Sequence, residues 1–351
     1  MINLITRYQN KLDQGFENRS VIAGKSSNRF EWTGAKTFRI IHMLPAALND
    51  FNRRGSGNRF GVPQDVQDAV QEFTVRFDKS YSGTIDRGDN TQQGMLKKIG
   101  EWMKLQDNEV VIPWFDAMVL GEWAHNAGQV ITASAALSAS TIVPTMIDIE
   151  VAMNNARVPK NERFCYVPES LIKYVRLADE WRYCDNLVNK MVAQGQIGTF
   201  GSLLIVPVTD DLFESDLYLL CARKDSVFAP TQLKTANLYE KVQGYDGPVA
   251  DFRRIADACV SWAQANGVVA VVASSAREAA PTVSNAGQIT VGSGKKVLYT
   301  LDGSDPRYSS SAVLITATAT PTHTAGDTIK AVVLGENGKF TSDISTKVTT
   351  S

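Results

Sequence analysis

Residues 73–90 read FTVRFDKSYSGTIDRGDN. Phe73, Val75 and Phe77 alternate with Thr74, Arg76 and Asp78, and Tyr81, Gly83 and Ile85 alternate with Ser82, Thr84 and Asp86. A period of two marks an extended chain whose successive side chains face opposite sides. The spacing predicts two strands around a polar turn at Asp78-Lys79-Ser80. An isolated two-stranded ribbon is marginal in water, so this one needs something to lie on.

The rest of the chain bounds what that support is. It has 351 residues, 44% hydrophobic and 21% charged, with a net charge of -1. That is ordinary globular composition with enough apolar mass for a large core, and the overall charge points to no particular partner. The charge is uneven, however. Residues 1–60 carry 10 Lys and Arg against 4 Asp and Glu. Such a segment is either a solvated face or an arm lying near a polyanion or an acidic neighbour. The N-terminus, MINLITRYQNKLDQGF, has no long apolar signal core, and no apolar run is long enough to cross a bilayer. Production in a cytoplasm is expected. Cys165, Cys184, Cys221 and Cys259 form no CxxC pair. They read as buried free thiols in a reducing compartment and not as a zinc site.

Composition changes near Ser275. From Glu278 to Ser351, 22 of 74 residues are Ser or Thr and only Tyr299, Tyr308 and Phe340 are aromatic. The small-residue stretch Ala273–Gly287 reads as a linker between domains. Before it, Gln92–Leu105 carries a helical stripe of Met95, Ile99 and Met103, and a second helical run follows from Val110 with Trp114, Met118 and Trp123. Pro113 suits the first turn of that run, or kinks the helix if the two runs are one. Pro144 opens a helix with Met146, Ile149 and Met153 on one stripe. ERFCYVP reads as a strand passing into a helix at Pro168-Glu169, and DNLVNKMVAQG as a helix stopping at Gly195. GSLLIVPV and LYLLCA are short buried strands. CVSWAQANGVVAVVA reads as a hairpin turning at Asn266-Gly267. Consecutive βαβ units are missing, which argues against a doubly wound nucleotide fold.

Catalytic signals are weak throughout. His42, His125 and His323 stand in no metal-ligand spacing, and there is no GxSxG elbow. GSGKK at Gly292–Lys296 fails as a phosphate loop and reads as a turn between strands. Arg87-Gly88-Asp89 is a three-residue match of the kind chance supplies, and IDRGDN lacks the Glu that closes a calcium loop. Asp210-Asp211 and Asp302/Asp305 sit in turn-like settings that favour Asp for backbone hydrogen bonding. No catalytic residue, cofactor site or metal site is assigned.

Several pieces taken in order do carry a resemblance. FEWTGAKTFRIIHMLPAALNDFNR, GNRFG, VQEFTVRFDKSYSGTIDRGDN, EVVIPWFDAMVLGEWA, ALSASTIVPTMIDIEVAMNNARVPKNERFCYVP and GQIGTFGSLLIVPVTDDL resemble major capsid proteins of tailed bacteriophages, of the Hong Kong 97-type fold. The resemblance implies an α+β shell domain over residues 1–275. Its parts would be an N-arm (1–29), an extended-loop region (30–91), a spine-helix region (92–126), an axial domain (140–244) and a return to the peripheral domain (245–275). It implies a non-enzymatic structural subunit that self-assembles into pentamers and hexamers of an icosahedral head in the host cytoplasm. Scaffolding and portal proteins would be partners during assembly, and double-stranded DNA would be packaged without sequence preference on the inner face. By the same resemblance the opening ribbon is part of the extended loop, with Phe73, Val75, Phe77, Tyr81 and Ile85 as contacts to a neighbouring subunit. Apolar burial there would contribute roughly 25 cal/mol per Å².

A second resemblance covers residues 278–351. VLYTLDGSDPRYSSSAVLI followed by GDTIKAVVLGENGKFTSDIS is similar to the small immunoglobulin-like β-sandwich at the C-terminus of chitobiase and β-hexosaminidase-type enzymes. Asp302, Gly303, Asp305 and Pro306 form its turn after the strand VLYTL, and Asn337-Gly338 closes a hairpin. As part of a shell subunit this module would be displayed outside, as plain decoration or as a binder of surface glycans. A carbohydrate-active enzyme or glycan-binding protein carrying this kind of accessory domain is the alternative, but no repeating βα pattern of a catalytic barrel precedes the module.

Overall fold

In the computed structural model the opening stretch keeps its alternation but has no turn at residues 78–80. Phe77–Thr84 is one continuous strand, and regular pairing lapses two residues earlier, at Val75-Arg76. The physical reason lies in the phase of the pattern. Its apolar positions stay odd-numbered from Phe73 to Ile85, as a single extended chain requires, and only Lys79 interrupts them.

The structure describes residues 20–29, 37–43, 48–54, 57–61, 65–66, 68–92, 98–177, 198–240, 242–336 and 338–350. Most of the N-terminal arm, Met95, Cys184, the helix expected over DNLVNKMVAQG, and Asn337 lie outside them. The strands in chain order are β1 (Thr37–Met43), β2 (Asp68–Thr74), β3 (Phe77–Thr84), β4 (Gln129–Ala133), β5 (Arg163–Pro168), β6 (Gly198–Phe200), β7 (Leu203–Val208), β8 (Leu217–Arg223), β9 (Val227–Phe228) and β10 (Thr231–Tyr239). They continue with β11 (Val249–Ala256), β12 (Cys259–Val260), β13 (Val268–Ala273), β14 (Thr282–Val283), β15 (Ile289–Thr290), β16 (Val297–Thr300), β17 (Val313–Ile315), β18 (Thr328–Val333) and β19 (Ser345–Val348). The helices are α1 (Arg87–Gln92), α2 (Ile99–Gln106), α3 (Ile112–His125), α4 (Ile142–Asn155) and α5 (Glu169–Leu177). The chain divides into two compact units. One is formed by the described parts of Met1–Gly34 and Val75–Ser274, the other by those of Ala35–Thr74 and Ser275–Ser351.

In the first unit β3 is an outer strand of an antiparallel sheet of order β10-β11-β3, with Tyr81 opposite Phe252 and Gly83 opposite Ala250. Its partner β11 lies some 170 residues further along the chain. Local sequence could not disclose that ladder. The helix beside the sheet is continuous: α2 runs through a π-helical segment, Asp107–Val111, straight into α3. Pro113 falls in the first turn of α3, directly after the wide π turn. Its missing N–H and its ring are accommodated there without ending the helix.

A six-stranded mixed sheet of order β4-β13-β8-β5-β7-β6 and a small sheet of order β12-β9 complete the β structure of this unit. One face carries Cys165, Val167, Leu203, Ile205, Leu219, Cys221, Val269 and Val271, and is covered by Met146, Ile149 and Met153 of α4 and Ile172 and Val175 of α5. Pro168 ends β5 and Glu169 opens α5, as the sequence predicts. From α3, Trp123 is fully buried, donates its indole N–H to the carbonyl of Phe228 at 3.1 Å, and lies 6.3 Å from the Tyr166 ring.

Two sequence expectations fail in this sheet. Residues 259–273 are not a hairpin: β12 pairs with β9, while β13 pairs with β8 and β4. Gly267 lacks the positive φ of a type I′ turn. Its absent side chain leaves room for Ser226, whose Oγ would lie 2.2 Å from a Cβ there. Nor are all the cysteines free. Cys165 of β5 stands directly opposite Cys221 of β8 and the two are joined as a disulfide, 56 residues apart in sequence. Antiparallel neighbours bring facing Cβ atoms within reach, a pairing that spacing alone does not reveal. Cys259 is the free, buried cysteine among the described residues.

The second unit contains the true ribbon. β1 and β2 pair antiparallel from Thr37↔Thr74 to Met43↔Asp68. Its C-terminal part is all β, with a two-stranded sheet, β14-β15, and a four-stranded sheet of order β17-β16-β18-β19. Ile289, Val297, Ile329, Ala331 and Val333 form its core. Gly292–Lys295 is a turn between β15 and β16, closed by the Lys295 N–H on the Gly292 carbonyl at 3.1 Å.

Candidate functional site

The β1–β2 ribbon presents one candidate surface. Alternation splits it into two faces. On one, Phe38 stacks on Phe73 with ring centroids 5.0 Å apart, and the cross-strand neighbours Ile40 and Gln71 are both buried. On the other, Arg39 pairs with Glu72 at 2.9 Å, and beyond them lie Ile41 (66% exposed), its cross-strand neighbour Val70 (42%) and Met43 (80%). Three adjacent large apolar side chains on one strand pair form a patch, unlike a scattered exposed leucine.

The five ribbon contacts predicted from sequence separate. Phe73 is in β2. Val75 lies between β2 and β3. Phe77 and Tyr81 are in β3, where Tyr81 stacks on Phe252 at 4.9 Å and meets Trp102 edge-on at 5.6 Å, within its own unit. Ile85 follows β3 and donates its N–H to the Pro248 carbonyl at 3.3 Å. Gly83 is the glycine this packing needs, since a Cβ there would lie 2.2 Å from the Trp102 ring. The sequence reading missed Ile41, Val70 and Met43. The alternation within TFRIIHM, with Arg39, Ile41 and Met43 on one side, is the signal that points to them.

Immediately after Val75, Arg76 makes a charged node. Its guanidinium donates to Asp257 at 2.9 and 3.2 Å and to Glu122 near the end of α3 at 2.7 Å. Asp257 is 2% exposed. Burial alone would lower the Arg76 pKa, but the bonds to Asp257 and Glu122 outweigh it and hold the cation well above its ordinary value.

Another buried carboxylate, Asp116 of α3, fastens the chain at Ser20-Val21. Its Oδ1 accepts from the Ser20 hydroxyl and its Oδ2 from the Val21 N–H, both at 2.7 Å. Burial raises its pKa against the opposing effect of those bonds and of the Arg254 and Lys25 charges. Beside it opens a cleft of about 250 Å³ lined by Val21, Ile112, Pro113, Asp116, Glu169, Pro207 and Val208 at the end of β7, and Thr209, Asp211 and Leu212 just after it.

In the C-terminal part, Asp302, Gly303, Asp305 and Pro306 lie in the loop that follows β16. Asp302 accepts from the Ser304 N–H at 2.9 Å, from the Ser304 hydroxyl at 2.5 Å and from the Ser311 hydroxyl at 2.9 Å. Gly303 has φ +73°, Arg307 pairs with Asp305 at 2.8 Å, and Pro306 is buried. Every one of these bonds stays within residues 302–311, so the cluster holds shape. Among the described residues no group of three or more His, Cys, Asp or Glu side chains is arranged to hold a metal ion. No described helix is long and apolar enough to cross a membrane.

No sequence-family model matches the chain, and no curated protein matches it. Solved structures do. The capsid structure of cyanophage P-SCSP1u superposes with a TM-score of 0.60 at 10% identity, covering 78% of this chain and 93% of that one. The mature capsid of bacteriophage PhiM1 gives 0.58 at 14% identity, covering 77% and 92%. A chain from Mycobacterium phage Che8 gives 0.61 at 14% identity, covering 77% and 97%. The mixed α+β architecture over more than three quarters of the chain is therefore the fold of phage capsid proteins.

Proposed function

We propose that this protein is the structural subunit of a phage head, assembling with copies of itself into pentamers and hexamers of a closed shell around double-stranded DNA. The observation that carries this reading is the pairing of a capsid fold with a ribbon that presents Ile41, Val70 and Met43 to solvent. In the proposed shell that face lies on a neighbouring copy, and Phe73 braces it from behind through Phe38. Ile99–His125 serves as the spine helix and β3, β10 and β11 as the peripheral sheet. The six-stranded sheet with α4 and α5 serves as the axial domain.

The share of the chain that the capsid structures leave uncovered is close in length to residues 278–351. This supports the C-terminal β part as an addition to the shell, displayed on its outer surface. Its equal numbers of acidic and basic residues and its Ser/Thr content suit a solvated exterior.

The test is expression of the chain followed by negative-stain electron microscopy. Closed particles, tubes or capsomer rings are the expected result, and a discrete monomer at all concentrations refutes the reading. A chain ending at Ser275 should still close into shells if the C-terminal part is decoration.

A further inference from the structure

We propose that Phe51, Arg53, Arg54, Arg59 and Phe60, between β1 and β2, form a tip that docks on the acid-rimmed cleft beside Asp116 of a second copy of the chain, with one of these side chains entering it. This rests on the shell reading and adds to it the receiving surface and the chemistry of the contact.

The tip is formed by residues 48–54 and 57–61. Between β1 and β2, the Asn52 N–H donates to the Arg59 carbonyl at 3.0 Å and draws the two limbs of the loop together. Asn52 Oδ1 accepts from the Arg54 N–H at 3.2 Å, and Asn58 Oδ1 from the Phe60 N–H at 3.1 Å. Phe51 and Phe60 meet edge-to-face at 5.0 Å, yet both are exposed. Arg53, Arg54 and Arg59 are exposed around them, and none has an ion-pair partner among the described residues. Three such cations around two solvent-facing phenyl rings form an amphipathic tip, and arginine with aromatic rings is the composition of interface anchors.

The receiving element has the opposite character. Ile112, Pro113, Pro207, Val208 and Leu212 give the cleft apolar walls. At its rim Glu169 and Asp211 are exposed and lack a cationic partner among the described residues. Neighbouring Asp210 is committed, accepting the Ser170 N–H at 3.0 Å. Asp116 is likewise held by Ser20 and Val21. At about 250 Å³ the cleft takes one side chain and falls short of the usual room for a small-molecule ligand. Apolar walls with these carboxylates at the mouth fit an arginine stem and guanidinium or a phenyl ring flanked by arginines.

The experiment uses charge reversal in the full chain. One variant carries R53E, R54E and R59E; another carries E169K and D211K. Each alone should raise the concentration needed for shell formation by about tenfold or more, with the thermal midpoint of the unassembled protein unchanged. A chain carrying all five changes restores every tip–cleft pair with the charges exchanged, and should form shells again near the unaltered threshold. If it stays folded but assembles no better than either partial variant, the tip does not meet this cleft and the proposal is overturned. If either partial variant lowers the thermal midpoint of the unassembled protein, the contact is within one chain and the proposal is likewise overturned. If the cleft variant assembles as the unaltered protein does while the tip variant does not, the receiving surface lies elsewhere and the shell reading survives. If the unaltered chain forms no shells at all, the shell reading itself fails.

Discussion

Replacing Ile41 and Met43 by aspartate tests the ribbon directly. Full burial of a large aliphatic side chain is worth about 1.5–3 kcal/mol. Scaled by exposures of 66% and 80%, each residue has about 1–2 kcal/mol left to gain on docking, and the two together about 2–4 kcal/mol. A carboxylate placed there forfeits that gain and adds desolvation on top. At 1.4 kcal/mol per factor of ten, the concentration at which shells appear should rise by roughly 30- to 1000-fold. The unassembled protein should barely notice, since both side chains already face water and surface substitutions usually stay within about 0.5 kcal/mol. The assay is light scattering against protein concentration, with microscopy of the products and a thermal melt of the unassembled chain. Shells forming at an unchanged threshold would show that this face stays in solvent, and the reasoning from exposed area to contact would be wrong.

Other expectations follow from the charged groups. Arg76→Ala leaves Asp257 buried without its cation. Breaking a fully buried pair costs about 3–5 kcal/mol, and with the Arg76 side chain 53% exposed the loss should be nearer about 1–3 kcal/mol by urea unfolding. Asp257→Asn in the same background should recover part of it. Because burial raises the Asp116 pKa, the folded state holds that proton more tightly than the unfolded chain. Its contribution is therefore full below the ordinary carboxylate pKa and is lost as pH rises through the raised value. Urea titrations at several pH values should show Asp116→Asn removing that downward slope, and an unaltered slope would mean another group carries it. Asp302 has the opposite sign: burial pushes its pKa up, but the Ser304 and Ser311 hydrogen bonds outweigh burial and lower it. Its stabilisation is present above the ordinary pKa and lost as pH falls, and Asp302→Ala should cost the C-terminal part about 1–2 kcal/mol in a melt at neutral pH.

Much of the local structure was legible. The Met146, Ile149 and Met153 stripe placed α4, the apolar runs placed β7 and β8, and Pro168-Glu169 marked the change from strand to helix. In each case burial periodicity or a helix-start residue is a property of a few consecutive residues. The failures share a different cause. Asp78-Lys79-Ser80 reads as a turn only while the partner of β3 is unknown. Asn266-Gly267 reads as a hairpin only while β12 and β13 are assumed to pair with each other. Cys165 and Cys221 look free until β5 and β8 are set side by side.

The sequence by itself therefore determined which segments are extended or helical, which face of each is apolar, and where composition changes near Ser275, because these depend on neighbours within a turn or two. Only the tertiary structure decided which strand pairs with which, and so which apolar face is already covered. Tyr81 is packed because Phe252 and Trp102 come to it from distant parts of the chain. Ile41 and Met43 remain open to a second copy because no described side chain of their own chain covers them. That difference is a matter of long-range pairing, which no local pattern encodes.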